Sequence, residues 1–382
     1  MFHYFKVKPA DLAIAALLLV LAALLFPYVR QRGQPDFMPF YLGGKLAAAG
    51  QIARIYDTSA YQPLIEQMRL EGERMSPFDA NYFIRPAFEA FLYVPFSWLS
   101  YRNASLLALI GNIGLLGILV WKLPVWLGVR MPRRPAIRFG LAIFYPFIWS
   151  IVLGQDTLLL TLLIGYALSP GVILRSGKAG ILLGLCVWKP NLTWIIPFAL
   201  MAAGRWRMAF FDLATSSLLL ALSFALVGVK GFRQWVVLVQ APSSDITPSV
   251  MGNIRALSLH FGLAPSAIAL LVIIVCCYFV VRHGTIFDKV SAALLAGLLI
   301  SPHTYLQDYS LVAIVALLET NPMASILLLL PWPWLYPRKD ILPLVFAALF
   351  YLVFLGVKHT FVTERDLEKP FGLREIGSRP CG

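Results

Sequence analysis

The sequence predicts an all-α polytopic membrane protein, with roughly 10–13 transmembrane helices and a folded, helical first extracytoplasmic loop. Three observations predict it. Of 382 residues, 59% are hydrophobic and only 13% are charged, whereas a soluble domain carries about 25% charged side chains; too few polar groups remain to cover a globule of this size. The apolar residues come in blocks near the roughly 20 residues that a helix needs to cross a hydrocarbon layer about 30 Å thick. The Lys and Arg residues behind the net charge of +13 stand in short clusters between those blocks, as topology signals do, and not on one basic face as nucleic-acid binding requires. A soluble enzyme and a nucleic-acid partner are both excluded.

The first block, about Ala10 to Val29, follows Lys6 and Lys8. With no small-residue cleavage site after Phe26-Pro27 it reads as an uncleaved helix with a cytoplasmic N-terminus. The longest polar stretch, Arg30 to Arg85, comes next, and loops of that length are uncommon without a role. Phe37 to Ala49 and Ala60 to Arg74 carry helical patterning, the second behind cap residues Asp57-Thr58-Ser59. Pro86 to Trp98 is apolar but short, and a clear span follows from Ala104 to Trp121. The segment Lys122 to Arg138 then holds Lys122, Arg130, Arg133, Arg134 and Arg138 with no acid, which places it in the cytoplasm. Parity decides the rest: one crossing separates the outer loop from this basic segment, so Pro86 to Trp98 should lie in the interface or re-enter without spanning.

Further spans are expected at about Phe139 to Leu153 and Thr157 to Leu168, with Arg175 and Lys178 inside. The run Ala179 to Ala203 is interrupted by Trp188-Lys189-Pro190-Asn191 and ends at Arg205-Trp206-Arg207. With basic flanks on both sides it must go out and back, as a broken helix lining a cavity does. Spans near Leu213 to Val229, Ser266 to Val281, Val290 to Ser301, Tyr309 to Glu319, Met323 to Leu335 and Leu342 to Val357 complete the set, with an external loop from Lys230 to Pro265. Residues 1–357 form one transmembrane domain and 358–382 a mixed-charge cytoplasmic tail. Cys186, Cys276, Cys277 and Cys381 show neither a disulfide nor a zinc spacing, and no metal or other cofactor is expected.

Ionisable residues at membrane depth are expensive and by default functional. Under this topology Asp36, Gln155, Asp156, Lys189, Asn253, Arg255, His303, Gln307 and Asp308 all fall at the outer ends of spans or in outer loops, an acid, base and cation cluster on one side. Each has a bland alternative. Asp36 precedes a helix and could be its N-cap. Gln155-Asp156 and the join Ser301 to Asp308 could be turns with capping acids, His303 adding a group whose charge follows pH. Lys189 could sit at an exposed join made by Pro190; otherwise its ammonium needs an anion, from a ligand or from a fixed acid such as Asp156. P-loop, Gly-x-Ser-x-Gly, His-Glu-x-x-His and heme motifs do not occur.

The order of features resembles a known family. Asp36-Phe37 after the first span, then Tyr41, Gly50, Ile55-Tyr56-Asp57 and Arg85-Pro86 opening a short apolar segment, resemble the first external loop of C-type glycosyltransferases. Gly154-Gln155-Asp156, Gly180-Ile181-Leu182-Leu183-Gly184 running into Trp188-Lys189-Pro190, and Ser301-Pro302-His303 resemble more particularly glycosyltransferase family 87. Arg85-Pro86 stands where a Tyr-Pro-Pro is common. The resemblance implies the C-type fold, a polyprenyl-phosphate hexose donor, mannose above all, and a lipid or glycan acceptor. It implies an inverting displacement on the extracytoplasmic face of a bacterial-type cell membrane. Asp36 would act as general base, Lys189, His303 and Arg255 would meet the donor phosphate, and Tyr41, Arg85, Gln155, Asp156, Asn253 and Asp308 would be further site candidates. The competing reading is a transporter or flippase for a lipid-linked or small anion, which would use the same broken helix but has no need of the large folded loop; a scaffold subunit would not explain the one-sided polar cluster.

Overall fold

The computed structural model describes residues 9–73, 82–129, 133–240, 251–301, 303–318, 329 and 342–361. Among them the chain is helical, with one isolated antiparallel bridge between Met251 and Tyr305. Five helices are long and apolar enough to cross a membrane, and five shorter apolar segments accompany them. The protein is an all-α polytopic membrane protein, as its composition predicts.

Helix α1 (Pro9–Arg32) is 24 residues long, or about 36 Å at 1.5 Å per residue, and runs beside α4 (Tyr101–Trp126). At its start, Asp11 accepts from the Arg138 guanidinium at 2.7 Å and from the Trp121 indole at 3.3 Å. The chain has therefore come back, at Trp121 and Arg138, to the end of the molecule where α1 began. No net crossing occurs between α1 and α4, so the parity expectation for Pro86 to Trp98 holds. That segment forms a 3-10 helix, Ala87–Trp98, packed on α2 (Phe37–Ala48).

The loop between α1 and α4 has its own core. Phe37, Phe40, Tyr41, Phe83 and Tyr101 are buried there, Phe40 stacking on Tyr93 at 4.9 Å and Phe37 meeting Phe96 edge-on at 5.4 Å. Such pairs contribute about 0.5–1.5 kcal/mol each beyond area burial. Helix α3 (Gln62–Leu70) lies inside the expected second amphipathic stretch, and Asp57 caps the short turn before it through Ser59 N.

The expected span Phe139 to Leu153 lies within Arg134–Leu153, one of the five stretches long enough to cross, and is built from two consecutive helices, α5 (Arg134–Ala142) and α6 (Tyr145–Leu153), because Pro146 takes the first turn of a new helix. Helix α7 (Thr157–Ala167) returns and sets Tyr166 against Trp126 at 5.1 Å, the same end as Arg138. After α8 (Pro170–Ile173) comes the interrupted run: α9 (Ser176–Leu185), a 3-10 turn at Cys186–Trp188, non-helical Lys189, α10 (Pro190–Thr193) and α11 (Ile196–Ala202). Lys178 at one foot reaches the Tyr166 hydroxyl and Ala202 at the other accepts from Lys289. Gly180 and Gly184 let α9 lie directly on α12 (Trp206–Gln240): a Cβ on Gly184 would stand 2.6 Å from the Asp212 carbonyl oxygen, and one on Gly180 would collide with that of Met208. This is the small-xxx-small contact of membrane helices.

One expectation is corrected. Among the described residues, the segment Lys230 to Pro265, expected as a loop, is largely helical. Helix α12 continues to Gln240 through a bend at Gly228 (φ 65°), and α13 (Ile254–Phe261) occupies the far side, with α14 (Leu263–His283) starting at once. Two cations, Lys230 and Arg233, suggest a loop, but Trp235 to Val239 is an unbroken apolar run that packs on the loop domain, its Trp235 indole donating to the Ile84 carbonyl at 2.9 Å. Helices α15 (Ile286–Ile300), α16 (Val312–Leu318) and α17 (Leu342–Phe361) close the bundle, α17 tied to α15 by Lys358–Asp288 at 3.0 Å. Apart from Leu329, the expected span Met323 to Leu335 lies outside the described residues, as do Met1 to Lys8 and the tail beyond 361.

Candidate active site

The polar cluster is assembled where the joins expected on the outer side meet, at the end of the bundle opposite Asp11 and Arg138. Gly154 brings the first two segments together. It is left-handed (φ 77°), and a Cβ there would be 2.7 Å from Phe37 Cβ and 2.9 Å from Gln34 Cβ, so only glycine lets the 34–37 turn sit against the end of α6. Two bonds fix the contact: Asp36 N donates to the Leu153 carbonyl at 3.0 Å and Gln34 Nε2 to that of Ile151 at 2.6 Å. Asp36 occupies the N-cap position of α2, but its side chain makes no cap bond. It accepts from Gln155 Nε2 at 2.7 Å.

Gln155 cannot turn its amide the other way. Its carbonyl oxygen accepts from Arg85 at 3.3 Å and from Lys189 at 3.4 Å, both donor-only groups, so the NH2 must face Asp36. Arg85 also donates to the Trp188 carbonyl at 3.2 Å, lies 3.5 Å from Asp156 and stacks over Phe40. Asp156, like Asp36, stands at an N-cap position without a cap bond. Lys189 is 3% exposed and is held by Asp308 at 2.7 Å with Asp156 at 3.6 Å. The exposed-join alternative for Lys189 is thus set aside, and its anion is chiefly Asp308, which also caps the turn after Tyr305 by accepting from Tyr305 N.

Six of the sequence candidates therefore converge: Asp36, Arg85, Gln155, Asp156, Lys189 and Asp308. Of the three aspartates, Asp36 is the one that no cation bonds among the described residues. Burial lifts its pKa above the ordinary carboxylate value, offset in part by the Gln155 hydrogen bond and by the fields of Lys189 and Arg85. Asp156 is also penalised by burial, yet Arg85 and Lys189 together hold it below its usual value.

The remaining candidates lie elsewhere. Tyr41 is in the aromatic core of the loop domain, its hydroxyl on the Leu99 carbonyl at 2.8 Å. Asn253 caps α13 through Ala256 N and donates to the Ser301 carbonyl, pinning the 251–253 segment to the 301–305 join. Gln307 is buried and its carbonyl accepts from Ser310. His303 and exposed Arg255 form a second group beside Tyr305. Burial and the Arg255 charge lower the His303 pKa, against a backbone hydrogen bond at Val239 that raises it, which favours the uncharged imidazole. Tyr305 bridges the two groups, feeling both Asp36 and Arg255.

Sequence reasoning missed Glu89 and Tyr305. Glu89 is fully buried, and the signal for it was available: it is the lone acid in an apolar segment, the pattern that flags function in membrane proteins. No curated protein and no solved structure matches the chain. The sequence does match the profile of glycosyltransferase family 87 over residues 83–302, more than half of the chain and a range that holds Arg85, Gln155, Asp156 and Lys189. The chain belongs to glycosyltransferase family 87 and is a membrane glycosyltransferase.

Proposed function

We propose that the Asp36 cluster transfers a hexose, mannose first among candidates, from a polyprenyl-phosphate donor to a lipid or glycan acceptor on the extracytoplasmic face of a bacterial-type cell membrane. The observation that carries this reading is the isolation of Asp36: a partly exposed carboxylate, oriented by one amide and ion-paired with no cation among the described residues, beside two aspartates that are each paired with one. A base must keep a lone pair available until the acceptor oxygen becomes nucleophilic. Gln155 occupies Oδ2 and leaves Oδ1 for the acceptor hydroxyl. The hydroxyl proton passes to Asp36, the acceptor oxygen bonds to the anomeric carbon, the bond from that carbon to the phosphate oxygen breaks, and the lipid phosphate leaves with the electron pair. One displacement inverts the anomeric centre.

The leaving phosphate needs donors where charge develops. Lys189 is already balanced by Asp308 and Asp156, so the phosphate is assigned to Arg255 as cation and neutral His303 as hydrogen-bond donor, with the polyprenyl chain in the bilayer. The test is the purified protein in lipid, given radiolabelled polyprenyl-phosphate sugars and, separately, nucleotide sugars, with a membrane extract as acceptor. Label should pass from a polyprenyl phosphate; transfer from a nucleotide sugar alone would overturn the donor assignment.

A further inference from the structure

Glu89 touches none of the reacting atoms in the displacement just described, yet it is the most deeply enclosed acid beside them. Its carboxyl is fully buried on the Ala87–Trp98 helix. Tyr93 on the same helix reaches its Oε1 at 3.4 Å. Among the described residues its Oε2 has no hydrogen-bond partner, and neither does Asp156 Oδ1, the oxygen that Arg85 and Lys189 approach at 3.5 and 3.6 Å, although the two carboxyl groups are neighbours. The charged and titratable groups around Glu89 are Asp156, Arg85, Lys189, Tyr93 and Tyr56. Two buried carboxylates in contact cannot both ionise without heavy repulsion. Asp156 carries the cations, so the proton belongs on Glu89.

We propose that Glu89 is a positioning residue of this site, a neutral carboxylic acid that donates its proton to Asp156 in a hydrogen bond. Asp156, so held, fixes Arg85 and Lys189; these two set the amide of Gln155; and that amide aims Asp36. One shared proton also leaves three aspartates against two cations, so that the single uncompensated charge rests on Asp36. Burial, then the neighbouring Asp156 charge, pushes the Glu89 acid far above the ordinary carboxylate range, consistent with this arrangement. The inference rests on the reading of Asp36 as the base, but its first test does not need turnover.

The infrared difference spectrum of the wild-type protein minus Glu89→Gln, at neutral pH in lipid, should show the carbonyl stretch of one un-ionised carboxylic acid, lost in the variant. In turnover, Glu89→Gln keeps a neutral donor toward Asp156 and should retain more than half of kcat, with an unshifted acid limb in its pH profile. Glu89→Ala removes the donor and should lower kcat by up to about 10²-fold, the scale of a misaimed catalytic group. Absence of the un-ionised band, or a Glu89→Gln enzyme as slow as Glu89→Ala, would overturn the proposal. If the wild-type protein itself transferred no sugar, the function above would fail while the infrared band still decided the state of Glu89.

Discussion

Replacing Asp36 by Asn separates the chemical role of this residue from its structural one, and the structure sets the expected size of each effect. Among the described residues the Asp36 side chain accepts one hydrogen bond, from Gln155 at 2.7 Å, and it does not cap α2. Asn presents a carbonyl oxygen in the same place, so the structural loss is the difference between a charge-assisted and a neutral hydrogen bond, about 1 kcal/mol. An opposing effect offsets it: burial raises the Asp36 pKa, which means that ionising this group costs the folded state, and Asn removes that cost. The melting temperature should stay the same or rise. Catalysis has no such compensation, because Asn cannot take a proton; losing a general base costs about 10²–10⁴ in rate, or roughly 3–5 kcal/mol of barrier. The assay is initial-rate sugar transfer by the purified variant in lipid, beside its thermal melt. A folded Asp36→Asn protein retaining more than half of wild-type turnover would refute the assignment.

Further outcomes follow from the same geometry. Activity needs Asp36 ionised, so kcat/KM should fall as the medium is acidified through a value above the ordinary aspartate pKa of about 3.9, and an acid limb at or below that value in a pH–rate profile would contradict the burial argument. Lys189→Met strands the Asp308 and Asp156 charges and should destabilise the protein by about 3–5 kcal/mol; Lys189→Met combined with Asp308→Asn should recover much of the loss in a thermal melt, and additive losses would show that the pair is not coupled. Gly184→Val forces α9 away from α12, and repacking of this kind typically costs about 1–3 kcal/mol; a variant that melts with wild type would mean the two helices are not in the tight contact described. Single cysteines at Gln62 and Arg133, both exposed, should be labelled by an impermeant reagent from opposite sides, and labelling from one side would overturn the parity argument.

How much of this was legible in the sequence depends on range. Spans set by composition and by basic clusters were readable, and so was the break at Trp188-Lys189-Pro190, because a Pro after a buried cation leaves few alternatives. The arm beyond Gly228 was not: its two cations imitate a loop, and only the tertiary contact of Trp235 with the Ile84 carbonyl shows which face is buried. The site was legible as a set of residues on one side, since ionisable groups at membrane depth must congregate. Its pairings were not. That Lys189 belongs chiefly to Asp308, 119 residues away, or that Gln155 turns its amide toward Asp36, is decided by side-chain geometry across four separate joins, and no spacing rule reports it. Asn253 and Tyr41 show the converse case, polar residues in apt positions whose hydrogen bonds are spent on the scaffold.

A direct displacement of a sugar from lipid phosphate, with Asp36 as the base, is decided by a single turnover on a polyprenyl-phosphate hexose of defined anomeric configuration, with the product anomer read by NMR and the released lipid phosphate quantified. The expected product is the inverted anomer, with one polyprenyl phosphate released per sugar transferred, both abolished in Asp36→Asn. Retention of configuration, or product formed without release of lipid phosphate, would contradict it.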